Sequence, residues 1–218
     1  SQGHRIEVLD IGLSSETATE LTPAENDAHT KAAGFPRPFI GDRIDRSLAL
    51  TKPDLLFVCY GMNDASALPE GPEGLRRYSE AITRIRETAL RTGSKRVVFC
   101  TAPVYDPVKP IAPDQNPHER NLVTYRDWLL SKRAEGWDVV DIHGPMRRDL
   151  DEARKTNPAF RLQPDGVHPD RAGHWVMARE ILAQFFNAEL AGISSSPEFF
   201  QKNGGAIREL VDRRRFGR

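Results

Sequence analysis

Short continuous runs of apolar residues constrain the fold of this chain more than any other feature. In the run Leu55-Leu56-Phe57-Val58-Cys59 every residue is apolar, which indicates a strand that is covered on both faces. A strand with one wet face would instead alternate apolar and polar residues. We therefore predict buried parallel strands at four places, namely residues 5–11, 54–60, 96–101 and 138–142.

Segments with helical periodicity separate the predicted strands. Apolar residues recur every three or four positions in the clearest of them, residues 72–92, at Leu75, Tyr78, Ile82, Ile85 and Ala89. Two further helices are predicted at 38–50 and 118–135, and another is expected to start at Pro169. This alternation of strands and helices predicts an α/β domain with a doubly wound, flavodoxin-like parallel sheet in three α/β/α layers.

The stretch Ser194-Ser195-Ser196-Pro197 interrupts the last of these helices. We therefore place the domain at residues 1–193 and a C-terminal helical extension at 194–218, with a helix from 198 onward. The extension ends in the arginine-rich sequence 213–218, which is typical of a solvated helix terminus.

The charge balance argues against a polyanionic partner. The chain has 31 Lys and Arg residues against 31 Asp and Glu residues, so it has no global basic field for nucleic acid. No apolar run is long enough to span a bilayer, and the first residues do not resemble a signal peptide. Secretion or a periplasmic location would need a leader before Ser1, so the compartment is left open. We expect a small-molecule partner and leave the oligomeric state open.

The cysteines and tryptophans are expected to pack in the core. Cys59 and Cys100 both lie in predicted strands, where a thiol behaves as a small hydrophobe, so neither a disulfide nor a metal site is expected. The three tryptophans lie within or beside apolar helical patterns, which favours core packing over stacking on a sugar. His143 follows the fourth strand, and we interpret it as a cap of a helix that begins near Pro145.

Two turns that follow predicted strands carry polar groups suited to an anion. Asn63 and Asp64 follow strand 54–60, and Ser14 and Ser15 follow strand 5–11. Ligands bind at the carboxyl ends of strands in open α/β sheets. The Asn63 amide can donate to a developing oxyanion, and backbone N–H groups at Ser14 and Ser15 can point at an anion. The alternative for both turns is ordinary capping by Asx or serine side chains.

A third polar segment is the loop Asp165-Gly166-Val167-His168-Pro169. An Asp and a His three residues apart in a tight loop can orient each other, with the carboxylate accepting from one imidazole nitrogen while the other faces a substrate. The alternative is a chance pair with a structural role, and the residues of this loop alone leave both open.

The order of the three segments resembles the second, third and fifth sequence blocks of the SGNH hydrolases, also called the GDSL esterase and lipase family. The resemblance covers about residues 5–190. It implies hydrolysis of an acyl ester by a serine nucleophile, without a metal or an organic cofactor. In that mechanism His168 would be the general base and Asp165 would hold its tautomer. The Asn63 side chain and the backbone N–H of Ser15 would form the oxyanion hole.

The chain departs from the family pattern in two ways. Ser15 occupies a position where the family has glycine. The first block, a strand leading into Gly-Asp-Ser, is not found; in the similar segment Phe39-Ile40-Gly41-Asp42-Arg43 an arginine stands in place of the serine. Arginine stays protonated and cannot attack an acyl carbon. We treat that match as accidental and expect the nucleophile upstream of this chain.

A missing first block has a structural consequence. The family's first strand is central, so its absence would leave strands 5–11 and 54–60 with unpaired edges, which folded proteins normally cover. We therefore expect the chain to be a truncated record, a fragment or half of a split protein, with a pseudoenzyme as the less comfortable alternative.

The sequence thus predicts an esterase for a small carboxylic ester, such as an acetylated carbohydrate or a short-chain acyl ester. The alternative function is a non-catalytic binding module of the same fold that lacks the nucleophile. A phosphate-binding domain is less favoured because no G-x-x-x-x-G-K loop follows a strand.

Overall fold

The computed structural model describes residues 6–109 and 111–187 together with positions 193, 197 and 198. Within these residues the sheet has three parallel strands in the order β1-β2-β3. They are β1 (Leu55–Val58), β2 (Arg96–Cys100) and β3 (Asp138–Val140). Leu55 pairs with Arg96, and Val98 pairs with Asp138. The predicted parallel α/β fold is therefore confirmed.

Helices connect the strands and continue after the last one. They are α1 (Pro23–Ala33), α2 (Ile44–Thr51), α3 (Met62–Ala67), α4 (Pro72–Arg91), α5 (Pro117–Ser131), α6 (His143–Arg154) and α7 (Arg171–Gln184), with short 3-10 turns at Ile40–Asp42, Pro113–Gln115 and Lys132–Glu135. Among these α-helices none is both long and apolar enough to cross a bilayer.

Two hydrophobic clusters on opposite faces of the sheet create the three layers. One face of the sheet, including Leu56 and Phe99, packs against α2, α4 and α5. The other face, including Val98 and Val140, packs against α6 and α7. Because these side chains are almost wholly buried, apolar burial on both faces is the main stabilising contribution to the fold.

The predicted first strand is wrong over the residues described. Residues 6–11 have no strand assignment, and Ile6 and Val8 are 78% and 73% exposed. A strand needs a neighbour to accept and donate its backbone hydrogen bonds. Within the described residues, no segment pairs with residues 6–11.

The outer edge of β1 also pairs with no strand in the described part of the chain. Burial alternates along β1, so Leu55 and Phe57 are exposed while Leu56 and Val58 are buried. The prediction of two covered faces therefore fails for β1, although β2 and β3 fit it. For the same reason Cys59 is exposed, whereas Cys100 is buried as expected.

The helix predictions hold with shifted boundaries. The segment predicted at 38–50 is a 3-10 turn followed by α2, and the helix expected from Pro169 begins at Arg171. Asp170 caps that helix by accepting from the N–H groups of Ala172 and Gly173. The domain boundary at 193–194 and the helix predicted from 198 onward lie outside the described residues, apart from positions 193, 197 and 198.

Candidate active site

Asn63 lies in the first turn of α3, five residues after Val58, the last residue of β1. Gly61 is the N-terminal cap of α3 with a φ of 134°, a value that L side chains rarely adopt. The N-cap position is Gly61, which has no side chain, and no side-chain hydrogen bond caps the first turn of α3. Asn63 and Asp64 therefore do not cap this helix. The capping alternative for these two residues therefore does not describe α3.

The Asn63 amide contacts the turn that contains Ser15. Its Nδ2 donates to the carbonyl of Glu16 at 3.0 Å, across 47 positions of sequence. Ser15 has a φ of 64°, in the left-handed region where a residue with a Cβ is strained by about 1 kcal/mol. The serine thus adopts a conformation that glycine takes freely. Among the described residues no atom accepts from the Ser15 N–H.

Asp64 joins the segment that follows the Ser15 turn to α3. Its carboxylate accepts from the backbone N–H groups of Ala18 at 3.2 Å and Thr19 at 2.9 Å, and the residue is fully buried. Burial raises the pKa of Asp64, although the two N–H groups oppose that effect. Asp64 is therefore a structural anchor between α3 and the Ser15 turn.

We expect Asp64→Asn to destabilise the protein by about 1–3 kcal/mol, because an amide NH₂ would face a backbone N–H donor in a buried site. Urea unfolding measures the change. Asp27→Asn is the matched control, since Asp27 is exposed on α1 and should change the free energy of unfolding by no more than about 0.5 kcal/mol. Equal stabilities of the two variants would contradict the anchoring role.

Arg43, the arginine that follows Gly41-Asp42 in place of a serine, binds the residue next to Ser15. Its Nε and Nη2 donate to the two carboxylate oxygens of Glu16, each at 2.6 Å. The Tyr60 hydroxyl also donates to Glu16, and burial raises the pKa of that hydroxyl. Glu16 is 3% exposed, so this bidentate pair fixes the residue next to Ser15.

The Asp165 and His168 side chains pair directly. The distance from His168 Nδ1 to Asp165 Oδ2 is 2.6 Å, and Asp165 Oδ1 accepts from the N–H groups of Val167 and His168. The His168 hydrogen bonds lower the pKa of Asp165, so the carboxylate stays ionised in weak acid. The side chain of His168 is 82% exposed, which leaves its other nitrogen open to solvent.

A series of contacts connects the loop that contains Asp165 and His168 to the residue before Asn63. The Asp106 N–H donates to the Gly166 carbonyl at 3.0 Å. The neighbouring Tyr105 ring stacks on His118 with centroids 4.2 Å apart, and His118 Nε2 donates to the Met62 carbonyl at 2.8 Å. The structure thus brings Ser15 beside Asn63 and Asp165 beside His168. Within the described residues no hydrogen bond joins His168 directly to Asn63.

Two polar residues near Asn63 were missed by the sequence analysis. His118 was placed at the edge of a predicted helix without a role, and burial lowers its pKa. Arg37 donates to Asn63 Oδ1 at 2.7 Å. Neither residue belongs to a motif, so no local sequence signal distinguishes them from other surface residues.

His143 does not have the capping role expected for it. It lies inside the first turn of α6, is 1% exposed, and its Nε2 lies 3.2 Å from Glu119 Oε1. Arg147 contacts the same carboxylate at 2.7 Å. These three residues form a buried polar cluster between α5 and α6.

The tryptophans pack in the core or against it, as expected. Trp175 is buried, while Trp128 and Trp137 pack against the core and against each other at 6.0 Å. Among the described residues, no group of three or more His, Cys, Asp or Glu side chains is placed to hold a metal ion.

Sequence comparison identifies a family match over most of the chain. The family described as GDSL-like Lipase/Acylhydrolase matches residues 8–176. No curated protein sequence matches the chain.

Solved structures share the fold at low sequence identity. A gut microbial diltiazem-metabolizing enzyme is 24% identical with a TM-score of 0.51, and the match covers 69% of this chain and 38% of that enzyme. A catalytic mutant of an acetylxylan esterase from Geobacillus stearothermophilus is 22% identical with a TM-score of 0.51, covering 68% and 70%. A member of the lipolytic G-D-S-L family from Veillonella parvula is 16% identical with a TM-score of 0.52, covering 79% and 96%. The chain therefore spans well under half of the first of these proteins.

Proposed function

The chain belongs to the GDSL-like lipase/acylhydrolase family, and on that premise we propose that it hydrolyses a small carboxylic ester by a serine-nucleophile mechanism. The observation that carries the proposal is the hydrogen bond between Asp165 Oδ2 and His168 Nδ1. That bond fixes a proton on Nδ1, so Nε2 is left as the basic nitrogen that can accept a proton from a serine hydroxyl.

His168 acts twice in the proposed reaction. It accepts the serine proton as the hydroxyl attacks the ester carbonyl, and it returns that proton to the departing alcohol. A water molecule then attacks the acyl-enzyme while His168 accepts its proton, and His168 returns that proton to the serine oxygen as the carboxylic acid leaves. Asp165 stabilises the imidazolium formed in both steps, and its low pKa keeps it ionised while it does so.

The tetrahedral intermediate carries an oxyanion that needs preorganised donors. We assign that task to the backbone N–H of Ser15 and to the Asn63 amide. The hydrogen bond from Asn63 Nδ2 to the carbonyl of Glu16 supports this assignment. Because Glu16 directly follows Ser15, that bond keeps the Asn63 amide close to the Ser15 N–H. Asn63 is neutral, so it can donate without bringing a charge that must be desolvated.

The proposed nucleophile is a serine at the carboxyl end of a strand that pairs with the edge of β1 that has no partner among the described residues. Leu55 and Phe57 are exposed on one face of β1, where side chains of such a neighbouring strand would pack beside them. No described serine forms a hydrogen bond with the His168 side chain, which is the observation that favours the second candidate, a binding module without catalysis.

We propose a short acyl group such as acetyl, carried on a carbohydrate alcohol. This proposal draws on the acetylxylan esterase among the structures with the same fold.

A fluorophosphonate probe followed by mass spectrometry of the labelled peptide tests the esterase proposal. We expect one serine to be labelled, because the probe reacts with serines activated by a histidine base. Labelling at Ser14 or Ser15 would contradict the proposed nucleophile while keeping the enzyme class. An intact, folded protein that stays unlabelled would favour the binding module.

A further inference from the structure

Arg37 places a guanidinium group directly against the proposed oxyanion donor, yet the proposed reaction assigns it no role. Its Nη1 donates to Asn63 Oδ1 at 2.7 Å, and it also lies 3.4 Å from the carbonyl of Ser15. Nη2 lies 3.4 Å from the Ser66 hydroxyl. One side chain therefore contacts both residues that carry the proposed oxyanion donors, Asn63 through its amide oxygen and Ser15 through its carbonyl.

The contacts of the Asn63 amide permit only one orientation. Oδ1 accepts from Arg37, and Nδ2 donates one of its hydrogens to the carbonyl of Glu16. A flipped amide would set its NH₂ group against the guanidinium donors and its oxygen against a carbonyl oxygen, which satisfies neither. Within the described residues the second Nδ2 hydrogen has no acceptor, so it remains available to a substrate.

The guanidinium of Arg37 contacts this amide directly, and the only opposite charge that acts on it among the described residues is the Asp64 carboxylate, at longer range than an ion pair. Arg37 is partly buried, and no carboxylate in the described part of the chain forms an ion pair with it. Burial lowers its pKa, but an arginine stays protonated at neutral pH. A cation that binds the amide oxygen withdraws electron density from the amide, which strengthens its N–H as a donor.

The backbone of Arg37 is held in place independently of its side chain. Its N–H donates to Asn26 Oδ1 at 2.9 Å. The next residue, Pro38, accepts from the Thr17 N–H at 3.0 Å, and Phe39 forms a parallel bridge with Thr17. The segment around Arg37 therefore pairs with the segment that follows Ser15, and the guanidinium starts from a fixed position.

We propose that Arg37 is a positioning residue that fixes the orientation of the Asn63 amide and strengthens its free N–H toward the oxyanion. This inference rests on the proposed function for its catalytic consequence. It acts through Asn63 and requires no contact between Arg37 and the substrate.

A double-mutant cycle measures the catalytic consequence with p-nitrophenyl acetate as substrate. We expect Arg37→Met to lower kcat by roughly 10- to 100-fold with little change in KM, somewhat less than the loss of a whole oxyanion donor. In the Asn63→Ala background the same substitution should have almost no further effect, because its target is gone. Arg37→Lys should recover part of the loss, since an ammonium can still donate to Oδ1.

Arg91→Met on the exposed end of α4 is the matched control and should leave kcat unchanged. An Arg37→Met effect of equal size with and without Asn63 would overturn the inference, since it would indicate a general structural role.

A spectroscopic readout decides the positioning without requiring activity. The side-chain amide signals of Asn63 in a ¹H–¹⁵N spectrum are identified by their loss in Asn63→Ala. We expect Arg37→Met to shift these signals, whereas Arg91→Met leaves them in place. Unchanged signals in Arg37→Met would overturn the inference. Shifted signals in a protein that shows no ester hydrolysis would support the positioning and count against the proposed function alone.

Discussion

Replacing His168 by alanine is expected to lower kcat/KM for p-nitrophenyl acetate by about 10⁴-fold, the upper end of what general acid–base catalysis supplies. The effect is large because His168 moves a proton in both acylation and deacylation. The fold should be unaffected, since the side chain is 82% exposed and its removal leaves no cavity. Surface substitutions of this kind change stability by no more than about 0.5 kcal/mol.

His174→Ala provides the matched control for that experiment. His174 is an exposed histidine in the first turns of α7, six residues after His168, so its loss removes an imidazole of the same kind from the same surface. We expect its kcat/KM to equal that of the unsubstituted protein. Nearly full hydrolysis in His168→Ala, with a normal unfolding curve, would remove His168 from the mechanism.

Gly166→Ala should disable the same loop through the backbone. Gly166 has a φ of 93°, and a Cβ there would lie 2.8 Å from the Asp106 carbonyl oxygen and 3.1 Å from the Pro107 Cα. The methyl group must therefore push the loop off its support, and with it the Asp165–His168 pair. A displacement of about 1 Å can lower activity by about 10²-fold, and we expect a loss of that size. The strained backbone adds about 1–3 kcal/mol of destabilisation.

Gly34→Ala is the control that separates the effect of a positive φ from the effect of the close contact at Gly166. Gly34 caps α1 with a φ of 82°, and a Cβ there would meet no atom within 4 Å. We expect a stability loss of about 1 kcal/mol and an unchanged kcat/KM. Equal activity losses in the two variants would mean that backbone strain, and not the contact with residues 106 and 107, explains the result for Gly166.

The parts of the site predicted from sequence are those whose contacts are local. Asp165 and His168 are three residues apart in a loop, so their hydrogen bond needs only the turn that Gly166 permits. The strands at β2 and β3 were also predicted, because continuous apolar runs report burial on both faces wherever helices cover them.

The predictions that failed depended on neighbours that are remote in sequence. Residues 6–11 have the composition of a strand but pair with no described segment, since pairing is a property of two segments. The exposure of Cys59 has the same origin, because β1 lies at the edge of the described sheet. His143 is buried against Glu119, which is supplied by a different helix.

By itself, the sequence determined the α/β class, the positions of β1, β2 and β3 and of the helices α4, α5 and α7, and the possibility that Asp165 pairs with His168. Only the tertiary structure decided how Asn63 is held, because its two partners, Arg37 and Glu16, lie 26 and 47 positions away. Periodicity and turn propensity act over one or two helical turns and report burial, so they specify elements. They do not specify which polar groups meet once those elements pack, and that is where the amide of Asn63 acquires its orientation.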